Sequence, residues 1–98
     1  MTEFSDLLRE DRNICMEAVV LIEQILRSEL QPLKVNLAAL GNAVPHLHWH
    51  VIARFDWDSH FPASVWAAPV RPVNDDKIRQ VAERCRHLNR LIAKKLSP

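Results

Sequence analysis

Along the chain, apolar positions change their spacing four times, and each change marks an element. From Ser5 to Glu29 they fall near helical spacing (Leu8, Val19, Ile22, Ile25, Leu26) in a stretch without Gly or Pro, which predicts one long helix. Ser5 or Asp6 is positioned to cap it, acids in its first turns suit the helix dipole, and Pro32 stops it. From Leu33 to Leu40 the period falls to two, with Val35, Leu37 and Ala39 on one side and Lys34, Asn36 and Ala38 on the other, a strand pattern. Gly41-Asn42-Ala43-Val44-Pro45, holding the only glycine, predicts the turn to a second strand, Leu47 to Phe55, and hence an antiparallel hairpin.

Asp56 to Val73 carries three prolines (Pro62, Pro69, Pro72) and no period, so an irregular segment is expected there, with Trp57, Phe61 and Trp66 as surface to bury. Asn74 then caps a helix running to Leu96, whose Ile78, Val81, Ala82, Cys85, Leu88, Ile92 and Leu96 form one stripe. The sum is a single α+β domain spanning residues 1–98: helix, hairpin, irregular segment, helix.

Composition narrows the class. With 98 residues, 48% hydrophobic and 26% charged, the chain is a soluble globular domain by composition. No apolar run approaches the roughly 20 residues of a membrane span. The acidic, polar N-terminus does not resemble a signal peptide. Cys15 and Cys85 lie far apart in the two helices, which suggests reduced thiols and a cytoplasmic location. The net charge of +1 conceals an acidic first 30 residues and a basic segment after residue 70. Two explanations fit: the first and last helices complement each other within or between chains, or the basic helix meets nucleic acid. The first is preferred.

His46, His48 and His50 alternate with Leu47, Trp49 and Val51, so on a strand the three imidazoles share one face. His60 and His87 stand apart and read as surface residues. A metal site is one explanation of the row, but neighbouring same-face positions are about 6.6–7 Å apart and three in line converge poorly on one ion. An ordinary half-buried strand is another. Phosphate chemistry is the third, one ring attacking phosphorus while its neighbours donate hydrogen bonds to the phosphoryl oxygens.

The segment HLHWHVI, with VNLAALGNAVP before it and HVIARFDWDSHFPASVW beginning within it, resembles the histidine triad (HIT) nucleotide hydrolases and transferases over roughly Phe4 to Trp66. The last stretch is similar to the bacterial branch labelled diadenosine tetraphosphate hydrolase-like. The resemblance implies His48 as nucleophile, His50 as phosphate ligand and His46 as orienter of the row. It further implies Asn36, Gly41 and Asn42 near the substrate phosphates, a purine nucleotide substrate and a homodimer. No metal or cofactor is required, although Mg²⁺ could accompany a polyphosphate.

Two departures stand out. Ala43 occupies the place, three residues before the first histidine, where many members carry Ser or Thr to assist the leaving group. The chain also begins almost at the first long helix, where HIT domains normally begin with strands, so it would correspond to the C-terminal part of that fold. The expected function is hydrolysis or nucleotidyl transfer at a phosphoanhydride or phosphoramidate through a nucleotidyl-histidine intermediate. The alternative is a nucleotide-binding protein with little or no turnover. Trp57, Phe61 and Trp66 would serve either in dimer contacts or in a lid within the chain.

Overall fold

The computed structural model describes residues 3–40 and 48–96. A short 3-10 turn, Phe4–Asp6, leads into helix α1, Arg9–Leu30. Strands β1, Lys34–Leu40, and β2, His48–Arg54, follow, and helix α2, Asp75–Leu96, closes the chain. This is the α+β arrangement expected from the changes of period.

Helix α1 starts four residues later than its spacing predicts. Asp6 does not cap it. Its carboxylate instead accepts from the Glu3 backbone N–H at 3.1 Å, closing the preceding turn. Phe4 meets Trp49 edge-on at 5.8 Å, so this turn is anchored to the sheet. Leu8, counted in the apolar stripe by its spacing, is the extended N-cap of α1 and is 72% exposed. Glu10 and Asp11 then sit in the first turn, where the exposed N–H groups favour negative charge. At the other end Gln31 takes a left-handed conformation (φ 48°) and Pro32 follows, a helix stop that turns the chain into β1.

The two strands pair antiparallel, with Lys34 opposite Arg54, Asn36 opposite Ile52, Ala38 opposite His50 and Leu40 opposite His48. The hairpin is closed beyond its base by Leu33 N–H donating to the Arg54 carbonyl at 2.9 Å. Alternation gives two faces. Val35, Val51 and Ala53 pack on the core of Ile25, Leu26, Leu30 and Leu88, which joins α1 to α2. The other face carries His48, His50, Ile52 and Arg54 from β2 with Asn36 and Ala38 from β1. Leu37, on the α1 face, is nevertheless 44% exposed because β1 lies at the margin of the helix cover.

Asn74 caps α2 as expected, its Oδ1 accepting from Lys77 N–H at 3.1 Å. Only the middle of the expected stripe is covered: Leu88 is buried, Val81, Cys85 and Ile92 pack beside it, and Leu91 joins them. Ile78, Ala82 and Leu96 are exposed. The ion pairs of α2 among the described residues are local, Arg79–Asp76 at 3.0 Å and Arg86–Glu83 at 3.9 Å, and none joins α2 to the acidic side of α1. Cys15 and Cys85 are unpaired and half-buried. Among the described residues no helix is long and apolar enough to cross a membrane.

Candidate active site

The period of two in strand β2 sends every even-numbered side chain from His48 to Arg54 to the face away from α1. His48 is exposed and His50 half-buried. Their rings meet edge-on, 5.2 Å between centroids. On the other side of His50 the ring of Trp66 stands edge-on at the same separation. Ala38 lies directly across the ladder from His50, so the neighbouring strand contributes only a methyl group there. His46, Gly41 and Asn42, as well as Ala43, lie outside the described residues. Among the described residues no three His, Cys, Asp or Glu side chains are grouped to hold a metal ion.

The same face ends in a very different environment. Arg54 is 1% exposed, the most deeply covered polar residue described. Its Nε donates to Asp58 Oδ2, its Nη1 to Asn36 Oδ1 and its Nη2 to the Ala63 carbonyl, each at 2.7 Å. The Phe61 ring lies 5.5 Å from the guanidinium carbon, within cation–π range. Buried charge is costly unless paired and hydrogen-bonded. Here the charge is met by a carboxylate, and all three guanidinium nitrogens are engaged.

Burial pushes the Asp58 carboxyl up. The Arg54 hydrogen bond, the backbone N–H of His60, the Arg54 charge and the Phe61 backbone together outweigh that and hold it below the ordinary carboxylate value. Arg71 tightens the same loop, its Nη1 donating to the carbonyls of Asp58 and Phe61. The irregular segment is thus a fold-back organised by two arginines, and each of its aromatic residues meets a ring or a guanidinium within the chain. Trp57 stacks on Phe55 at 4.8 Å, Phe61 lies against Arg54, and Trp66 reaches His50. His60 is not the partnerless surface residue its isolation suggested: it is half-buried, its Nδ1 lies 2.8 Å from Ser59 Oγ, and its backbone N–H donates to Asp58.

Asn36, expected near a substrate phosphate, is half-buried on the histidine face with its carbonyl oxygen turned to Arg54. Arg54, Asp58 and Trp66 were not singled out as site residues by sequence. One signal was available for the first: the alternation His46, His48, His50 continues through Ile52 to Arg54 on the same face.

The sequence model of the HIT domain family matches residues 1–57. Among solved structures, a histidine triad protein from Sinorhizobium meliloti is 32% identical with a TM-score of 0.67, over 86% of this chain and 63% of that one. A histidine triad protein from Marinobacter aquaeolei is 28% identical, TM-score 0.69, over 94% and 68%. One from Bradyrhizobium japonicum is 29% identical, TM-score 0.68, over 89% and 66%. The chain therefore spans about two thirds of the length of these structures. A comparison with curated proteins gives no match.

Proposed function

The chain belongs to the HIT domain family, and from that premise we propose that it is a nucleotide hydrolase or nucleotidyl transferase acting on a phosphoanhydride or phosphoramidate. The observation that carries the reading is the pair of imidazoles, His48 and His50, held edge-on at 5.2 Å on a face whose neighbouring strand sets only the apolar side chains of Leu40 and Ala38 opposite them. A ring nitrogen of His48 attacks the α-phosphorus, forming a P–N bond as the bond to the leaving group breaks. Water then attacks the same phosphorus as the P–N bond breaks, releasing the nucleoside monophosphate and returning the His48 imidazole. His50 donates to the phosphoryl oxygens, where charge builds in the transition state, and His46 orients the row.

Asn36, with Gly41 and Asn42, completes the phosphate side. The chemistry requires no metal, and Mg²⁺ would enter only with a polyphosphate substrate. The sequence from His50 to Trp66 favours the diadenosine tetraphosphate hydrolase-like branch, with a purine substrate, a homodimeric assembly and a cytoplasmic setting. Residue Ala43 favours a second reading, nucleotide binding with little turnover, since it offers no hydroxyl to the leaving group.

The test is AMP release from an adenosine phosphoramidate and from a dinucleoside polyphosphate, by this chain and by His48→Ala. Release that disappears in the variant is expected. Release that persists in it removes His48 as nucleophile, and AMP binding without release selects the second reading.

A further inference from the structure

The buried guanidinium and the histidines share one face of one strand, and the contacts of Arg54 lead back to both the substrate side and the ring of His50. Asn36 pairs with Ile52 in the ladder, which makes His50 and Arg54 its two diagonal neighbours, positions about 7–8 Å away. A guanidinium has donors only, so the Asn36 carboxamide can meet it in one orientation, oxygen inward. That consumes its acceptor and leaves its two Nδ2 N–H donors. Phosphate oxygens accept and do not donate, so this is the orientation in which an asparagine can serve an anion.

The other two contacts act on the loop. Asp58 and the Ala63 carbonyl are both fixed to the guanidinium at 2.7 Å, and Trp66, three residues beyond Ala63, is the residue that stands against His50. Trp66 is itself 55% exposed. Its place depends on the anchored backbone before it more than on burial of its own ring.

We propose that Arg54 is a positioning residue for the histidine face: it turns Asn36 so that only N–H donors are offered to an anionic ligand, and it anchors the 58–63 loop so that Trp66 rests against His50. The part concerning the anion rests on the nucleotide reading above. The part concerning Trp66 and His50 stands without it.

The experiment compares the imidazole NMR resonances and AMP affinity of the wild-type chain with Arg54→Lys, Trp66→Phe and Asn36→Asp. Lysine keeps the charge but lacks the planar fork. The His50 resonances in Arg54→Lys are expected to move from their wild-type positions toward those in Trp66→Phe, while His87, exposed on α2, stays in place as a control for the fold. AMP affinity is expected to fall about tenfold in Arg54→Lys and at least as far in Asn36→Asp, which keeps the acceptor for Arg54 but removes both donors.

Unmoved His50 resonances in folded Arg54→Lys overturn the positioning of Trp66, and unchanged AMP affinity in Asn36→Asp overturns the donor role. If Arg54→Lys does not fold, Asp58→Asn, which keeps the guanidinium and the side-chain volume, takes its place with the same two outcomes for His50. A wild-type chain that binds no AMP counts against the nucleotide reading, and the resonances still decide what Arg54 does.

Discussion

The two ends of β2 present the same face under opposite conditions. At its beginning His48 is open to solvent and touches another ring; at its end Arg54 is 1% exposed and every nitrogen of its guanidinium is bonded. A charge held among fixed partners serves rigidity, because moving any one of them strands the others. The strand therefore sets the histidines at one end and the hydrogen-bonded guanidinium at the other, with Ile52 between His50 and Arg54 as the spacer.

This division makes substitutions at the two ends fail differently. His48→Ala is expected to reduce nucleotidyl transfer by on the order of 10⁴-fold with little change in the urea midpoint of unfolding, since the side chain is exposed. A large loss of stability there would remove the distinction. Arg54→Met is expected to cost about 3–5 kcal/mol in denaturant unfolding, because Asp58 is left covered without its partner. A cost below about 1 kcal/mol would mean that the loop does not depend on the guanidinium.

The pH dependence sharpens the same point. Asp58 is held below its unfolded value, so its contribution to stability is fully present above the ordinary carboxylate range, around pH 4 and higher. It is lost as pH falls through the lowered folded value. The acid limb of the wild-type stability curve should therefore be steeper than that of Asp58→Asn. Curves of equal slope would show that Arg54 does not hold the Asp58 proton off. The smallest effect belongs to the counterexample on α2. Arg79 and Asp76 also pair, at 3.0 Å, but with side chains 77% and 85% exposed. Arg79→Ala, which removes the pair but keeps the acid in the first turn of α2, should leave the unfolding midpoint nearly unmoved, as measured in the same denaturant series.

Much of the fold could be read from periodicity. The change from helical spacing to alternation located the hairpin within about a residue. Asn74 announced α2, and the alternation announced the face that His48 and His50 share. The start of α1 could not be read this way, because Leu8 fits the helical period but sits ahead of the covered turns, and Asp6 finds a nearer partner in Glu3. The Arg54 contacts were hidden for a different reason. Asn36 lies 18 residues away and the Ala63 contact is to a backbone carbonyl, so neither side-chain type nor spacing encodes the meeting. Likewise the stripe on α2 states which side chains can be covered and not how far the cover reaches, which is why Ile78 and Leu96 remain outside it.

Leu88 is the only fully covered residue α2 contributes among those described, whereas α1 contributes Val19, Ile25, Leu26 and Leu30. The consequence concerns the order in which the molecule comes apart. Local opening costs least where the fewest apolar contacts must be broken, so the final helix is expected to detach before α1 does. The bonds of Arg54 all fall between Asn36 and Ala63, so none of them is broken when that helix leaves. In hydrogen exchange the amides of α2 should lose protection first, while those of α1 still resist deuterium.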